Sequence, residues 1–102
     1  MTKVVNIDSC PDFDPANNPN DVYVGKFYTG PRGFFPKSKW HNPYPETEYD
    51  RSTGLESYRN HILQNPDLLG ALPELKEKRL GCWCKPRPCH ADVLVQLVSE
   101  RV

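Results

Sequence analysis

The sequence has no excess of charge of either sign. Its 13 lysine and arginine residues are balanced by 13 aspartate and glutamate residues, so the formal net charge at pH 7 is zero. Proteins that coat DNA or lie on anionic membranes through charge alone carry a strong positive excess. We therefore expect neither general DNA coating nor polybasic membrane binding.

Long apolar runs are also missing. No stretch approaches the roughly 18 consecutive apolar residues that span a bilayer, and the opening segment, Met-Thr-Lys-Val-Val-Asn, lacks the apolar centre of a secretory signal. We therefore expect a cytoplasmic protein without a membrane partner. In the cytoplasm, clustered cysteines more often bind metal or take part in chemistry than form disulfides.

The length and the proline content bound the architecture. A chain of 102 residues predicts a single domain over residues 1–102. Its 11 prolines are about twice the average usage, and residues 26–45 form a long loop rich in proline and aromatic residues. A loop of this length in a compact domain is usually functional, and its aromatic content argues against disorder.

Short apolar runs predict strands, and periodic apolar positions predict helices. The predicted elements are strands at residues 3–7, 22–25 and 79–84 and helices beginning near residues 53, 65 and 90. Thr53 and Glu56 match a capping box, and Asn65-Pro66 is a typical helix start. The order predicts a small α/β domain of two or three layers, with helices packed on a short, mostly parallel sheet. This arrangement resembles Rossmann-like domains by analogy of fold, which does not fix a function.

The most informative stretch is residues 81–92, Gly-Cys-Trp-Cys-Lys-Pro-Arg-Pro-Cys-His-Ala-Asp, between the last predicted strand and the last helix. Open α/β sheets bind ligands at the carboxyl ends of such strands. Alternation along a strand puts Cys82 and Cys84 on one face. It predicts that Trp83 points the other way, into the core beneath a helix.

The cysteines and histidines of this stretch leave two chemical hypotheses open. In the first, they bind one zinc ion. Zinc takes four tetrahedral sulfur and nitrogen ligands, which would be Cys82, Cys84, Cys89 and His90, or His41 in place of His90. In the second, Cys89 is a catalytic thiolate and His90 its base, since a helix N-terminus lowers the pKa of a thiol.

In a third hypothesis the same turn is a ligand loop. Amide groups at the start of the last helix, with Arg87 alongside, would bind a phosphate group. Trp40 and Tyr44 lie on a proline-stiffened loop that suits stacking on a base, and Asn42 between them would hydrogen-bond the ligand. Asp92 would either reach a ribose or stabilise the helix dipole.

The function predicted first is therefore binding of a small nucleotide-like or phosphorylated ligand at the strand-to-helix turn, residues 82–92. The alternative is a zinc-stabilised module that binds a protein partner without catalysis, in which structural zinc supplies folding free energy. Enzymatic turnover is left open by the first of these functions alone.

Residues 79–94 resemble an uncharacterised family of small domains in bacteria and their phages, with the signature Gly-Cys-Trp-Cys…Cys-His-(Gly/Ala)-Asp. Residues 21–25, Asp-Val-Tyr-Val-Gly, and 38–44, Ser-Lys-Trp-His-Asn-Pro-Tyr, resemble two further motifs of that family, with Tyr44 in place of its usual Phe. The resemblance implies a fold and boundaries more than a function, because the family carries no established activity. It also implies the host cytoplasm as the location if a phage encodes the protein.

Overall fold

The computed structural model describes residues 1–44, 51–83 and 89–102. The elements in chain order are β1 (Lys3–Asn6), β2 (Asp21–Tyr23), β3 (Tyr28–Gly30), β4 (Gly33–Phe35), α1 (Arg51–Leu63), α2 (Pro66–Ala71), β5 (Arg79–Cys82) and α3 (His90–Arg101). Short 3₁₀ turns follow β1 and α2, at Ile7–Ser9 and Leu72–Leu75. No helix in these ranges is long and apolar enough to cross a membrane.

The main sheet is parallel and has the strand order β1-β5-β2. The last strand, β5, is central, because Val4 of β1 and Val22 of β2 both pair with Leu80. Parallel neighbours need a long crossover connection, and α1 and α2 lie in the connection from β2 to β5. The prediction of an α/β fold with a mostly parallel sheet is confirmed.

The residues of β5 alternate between two packed layers. Leu80 and Cys82 face a core that the helices complete, whereas Gly81 and Trp83 face an aromatic cluster. The helix-side core includes Tyr58, Ile62, Leu68, Leu94 and Leu97. The aromatic cluster consists of Phe13, Tyr23, Tyr28, Phe35 and Trp83. The sheet is therefore the middle layer between helices and a layer of loops and hairpin.

The start of α2 agrees with its local sequence signal. The side-chain oxygen of Asn65 accepts the N–H groups of Asp67 and Leu68, and Pro66 occupies the first helical position. This arrangement satisfies amide donors that a helix start leaves unpaired. The predicted start of the preceding helix was wrong, since α1 begins at Arg51 and Thr53 lies inside its first turn.

The loop predicted over residues 26–45 contains regular structure. Within it, β3 and β4 form an antiparallel hairpin in which Tyr28 lies opposite Phe35. Gly33 adopts a φ of +112° at the turn, a conformation that glycine reaches without steric cost. The prediction for Trp83 was also wrong, because its ring packs in the aromatic cluster and not beneath a helix.

Candidate functional site

A cavity of about 420 Å³ opens at the carboxyl end of the parallel sheet, where β2 and β5 end and α3 begins. This is the place where open α/β sheets bind ligands, because loops diverge there from adjacent strands. The residues that line it are Tyr23, Gly25, Lys26, Phe27, Tyr28, Asn42, Tyr44, Cys82, Trp83 and His90. The walls are therefore largely aromatic, with a few polar groups among them.

Hydrogen bonds fix the aromatic wall of the cavity. The indole N–H of Trp83 donates to the Tyr23 hydroxyl at 3.0 Å, and that hydroxyl donates to the Lys26 carbonyl at 2.5 Å. Burial raises the pKa of Tyr23 above its ordinary value, so the hydroxyl stays protonated and keeps this donor role. The Tyr28 ring lies 4.6 Å from the Trp83 ring, centroid to centroid.

Gly25 allows the loop after β2 to pass close to the Tyr23 ring. A Cβ atom at residue 25 would lie 2.6 Å from the Tyr23 hydroxyl oxygen, closer than real Cβ contacts. A side chain at this position would therefore push the hydroxyl away from the Lys26 carbonyl. The glycine is needed here for close approach and not for an unusual backbone angle.

His90 is the buried polar residue at the start of α3 and lines the same cavity. Its side chain Nε2 lies 2.6 Å from the Val24 carbonyl oxygen, and since a carbonyl can only accept, Nε2 carries the proton. The imidazole packs edge-on against Tyr58, with ring centroids 5.1 Å apart. Nδ1 of the neutral ring is then an acceptor, so a metal or a hydrogen-bond donor, and not a second acceptor, is the kind of group that it can bind.

The residue that supports His90 is fixed in turn. The Tyr58 hydroxyl donates to the Trp40 carbonyl at 2.7 Å. Burial, followed by the neighbouring Cys89, raises the pKa of Tyr58 far above its ordinary value. This chain of contacts joins α1, the loop after the hairpin and the start of α3.

Two cysteine thiols lie side by side at the edge of the cavity. The Sγ atoms of Cys82 and Cys89 are 3.2 Å apart, and each residue is 1% exposed. Cys82 lines the cavity, whereas Cys89 lies behind it as the residue before α3. The backbone N–H of Cys89 donates to the Asp92 carboxylate at 3.0 Å. Asp92 therefore caps α3 and lies where the third hypothesis places a phosphate.

The structure brings some predicted site residues to the cavity and not others. Asn42 and Tyr44 line it, and the Asn42 side-chain oxygen accepts the Tyr44 N–H at 2.9 Å. Trp40 is 2% exposed in the helix-side core and does not line the cavity. His41 is tied to its own loop, because its Nδ1 donates to the Ser38 carbonyl at 2.9 Å.

The predicted zinc and phosphate ligands are described only in part. Cys84 and Arg87 lie outside the described residues. Over residues 1–44, 51–83 and 89–102, no three Cys, His, Asp or Glu side chains lie close enough together to hold one metal ion. Two soft donors, Cys82 and Cys89, are nevertheless adjacent.

Sequence reasoning missed the aromatic wall formed by Tyr23, Tyr28 and Trp83. The alternation that separates Trp83 from Cys82 was visible. It shows that the two side chains occupy different faces of β5, but not which face the helices cover. The signal that could have located the wall was the aromatic richness of the segment around Tyr28.

Comparison with known proteins places the chain in a family without an assigned activity. A domain of unknown function, DUF4326, matches residues 13–100, and the chain belongs to this family. The predicted kinship with an uncharacterised family that has phage members is confirmed. No solved structure gives a significant match.

Two relatives are viral. Uncharacterized protein R718 of Acanthamoeba polyphaga mimivirus is 36% identical over 86 residues, covering 76% of this chain and 65% of the relative. The uncharacterized 12.4 kDa protein in the nrdA-td intergenic region of Enterobacteria phage T4 is 50% identical over 65 residues, covering 60% of each protein. The chain thus spans less than two thirds of the length of these relatives.

Proposed function

We propose that the cavity at the carboxyl end of the sheet binds a small nucleotide-like ligand whose planar ring lies against Trp83 and Tyr28. The observation that carries the proposal is the cavity itself, whose volume of about 420 Å³ falls in the usual range for small-molecule sites. Stacking of a base on an aromatic side chain contributes about 1 to 3 kcal/mol. Hydrogen bonding of Trp83 to Tyr23 holds the indole ready for this contact.

The polar groups of the cavity suit the rest of such a ligand. The oxygen of the Asn42 amide is engaged with the Tyr44 N–H, which assigns its NH₂ group to a ring carbonyl or ring nitrogen of the ligand. Lys26 is exposed at the cavity, and no acidic residue occurs from residue 22 to residue 45. Its ammonium group is therefore assigned to the phosphate.

The phosphate is thus assigned to Lys26 and not to the start of α3. There the Asp92 carboxylate already accepts the Cys89 N–H, and a second anion beside it would be repelled. The aromatic partner also changes, because Trp40 is buried in the helix-side core. Trp83 and Tyr28 take the stacking role first assigned to Trp40 or Tyr44.

Thermal shift and quenching of tryptophan fluorescence test the proposal with the common nucleoside 5′-monophosphates and the matching nucleosides. We expect Lys26→Ala to weaken monophosphate binding about tenfold, or about 1.4 kcal/mol, while leaving nucleoside binding unchanged. Asn42→Asp keeps the oxygen that accepts the Tyr44 N–H but removes the donor. It should therefore weaken both classes of ligand.

The matched control is Lys76→Ala, which removes an exposed lysine from the turn before β5, at the opposite end of the sheet. This variant should bind as the wild type does. An equal loss of monophosphate binding in Lys76→Ala would mean that Lys26 acts only through the overall positive charge of the protein. Absence of any shift with every nucleoside and nucleotide would rule out the proposal.

A second function, a zinc-stabilised interaction module, is favoured by the adjacency of Cys82 and Cys89. Their thiols are soft donors of the kind that zinc prefers, and His90 could add only Nδ1 because Nε2 binds the Val24 carbonyl. Zinc would supply folding free energy at this junction. A chelator should then lower the melting temperature, and an unchanged melting curve would exclude this function.

A further inference from the structure

We infer that Cys82 and Cys89 form a reversible disulfide at the edge of the cavity. Their Sγ atoms lie 3.2 Å apart, so the two sulfurs need to approach by only about 1.2 Å to reach the disulfide length of about 2.05 Å. This is a modification site distinct from ligand binding. Its formation requires no nucleotide, so the two proposals can fail separately.

Both cysteines lie at the ends of well-fixed elements. Cys82 ends β5, which is paired on both sides by β1 and β2. Cys89 immediately precedes α3 and is held by the bond from its N–H to the Asp92 carboxylate. The fold therefore keeps the two thiols together before oxidation, which limits the ordering that bond formation would otherwise require.

The cavity gives the buried pair a route to a small oxidant. Both residues are 1% exposed, but Cys82 lines the cavity. A low-molecular-weight disulfide is the oxidant. The Cys82 thiolate attacks one of its sulfurs, forming a mixed disulfide and releasing one thiol. The Cys89 thiolate then attacks the Cys82 sulfur and releases the second thiol. The protein loses two electrons and two protons, and the reagent gains both.

Cys10 provides a contrast within the same chain. It is half-buried near the amino end of the sheet, beside Asp12 and Arg79. The hydrogen bond from its thiol to the Asp12 carboxylate, at 3.0 Å, raises its pKa. Because the thiolate is the reactive form, this shift slows the attack of Cys10 on a disulfide.

The test uses the full chain, reduced and then treated with bis(2-hydroxyethyl) disulfide. After unfolding, free thiols are capped with N-ethylmaleimide and the protein is weighed. We expect two fewer maleimide adducts than in the reduced protein and a melting temperature raised by about 5 °C or more. Chymotrypsin cleaves after Trp83 and so separates Cys82 from Cys89, unless a disulfide joins their peptides.

Three variants assign the bond. Cys84 and Cys89 both follow the cleavage site at Trp83, so either could join the Cys82 peptide to the next one. In Cys84→Ser only Cys89 can do so, and this variant should retain the bond. Cys82→Ser should abolish it, and Cys10→Ser should leave it unchanged. The inference is overturned if Cys84→Ser shows no linked peptides. It is also overturned if both thiols resist the reagent while the native mass carries a surplus of about 63 Da, one zinc less two protons.

Discussion

Gly81 lies at the centre of the middle strand, where the structure leaves no room for a side chain. A Cβ atom there would lie 2.3 Å from Cζ of the Phe13 ring. Phe13 is itself packed, with its ring 6.2 Å from that of Phe35. The aromatic cluster therefore rests directly on the backbone of β5.

We expect Gly81→Ala to lower the free energy of unfolding by about 1 to 3 kcal/mol, the usual cost of forcing an extra methyl group into a packed core. Urea denaturation measures this change, and shortening the neighbour in Gly81→Ala/Phe13→Leu should recover part of it. The control is Gly70→Ala in α2, where a Cβ meets nothing within 4 Å. An alanine there should be neutral or stabilise the helix by up to about 1 kcal/mol. Equal effects at both glycines would contradict this account.

Asp21 and Arg79 join the amino ends of β2 and β5. The Asp21 side chain is fully buried and accepts Nε of Arg79 at 2.6 Å and Nη2 at 2.8 Å, as well as the Asp14 N–H at 2.9 Å. The hydrogen bonds from Arg79 hold the pKa of Asp21 below its ordinary value. The carboxylate thus remains charged although it is buried.

This ion pair predicts a loss of stability in acid. Because the pKa of Asp21 is lower in the folded state than in the unfolded state, its contribution is complete above an unfolded pKa of about 3.9 and is lost as the pH falls through the folded value. Asp21→Asn should remove this component and, at pH 7, cost about 3 to 5 kcal/mol by leaving Arg79 without its buried partner. Urea denaturation from pH 2 to pH 7 measures both effects. An exposed neighbour, Asp12→Asn, should change stability little, and an unaltered acid profile in Asp21→Asn would refute the assignment.

The hairpin β3–β4 contributes two rings to the aromatic cluster, Tyr28 and Phe35. Phe35 is 5% exposed and lies within 6.2 Å of the four other rings of the aromatic cluster, centroid to centroid. Its neighbour Phe34 points away, is 64% exposed and contacts Phe27 edge-on. Adjacent residues of one strand therefore have opposite roles.

We expect Phe35→Ala to lower the free energy of unfolding by about 3 to 5 kcal/mol, the range for removal of a buried aromatic ring. Loss of this support for Tyr28 and Trp83 should also weaken nucleotide binding. Phe34→Ala, one residue away, should stay within about 0.5 kcal/mol of the wild type. Urea denaturation followed by tryptophan emission compares them, and a small effect of Phe35→Ala would show that the hairpin is not part of the core.

The elements with local signals were predicted and the others were not. The start of α2 follows from Asn65-Pro66, and α3 follows from its apolar periodicity. The hairpin was missed because each of its three-residue strands contains a glycine and prolines lie close by, a composition that predicts a loop. The strand β2 is equally short but has the sequence Asp-Val-Tyr. The start of α1 was predicted too late along the chain, because a capping-box pattern such as that at Thr53 also occurs inside helices.

The described part of the molecule has three layers, with the parallel sheet in the middle and β5 as its central strand. The cavity lies at the carboxyl end of this sheet. Its location at the carboxyl end of β5 could be predicted, because parallel topology dictates it. The identity of its aromatic walls could not, since that depends on long-range packing. Trp40 and Trp83 illustrate the limit: both stand in aromatic or cysteine-rich segments, and only the tertiary structure buries the first and brings the second to the cavity.

The central position of β5 has a consequence for synthesis of the protein. Lys3 pairs with Arg79, more than seventy residues further along the chain, and β2 also waits for the same partner. At a translation rate of about 5 to 20 residues per second, both early strands remain unpaired for several seconds after they leave the ribosome. The sheet therefore forms late and as a unit, and a ribosome that stalls before residue 79 holds a nascent chain with two unpaired strands.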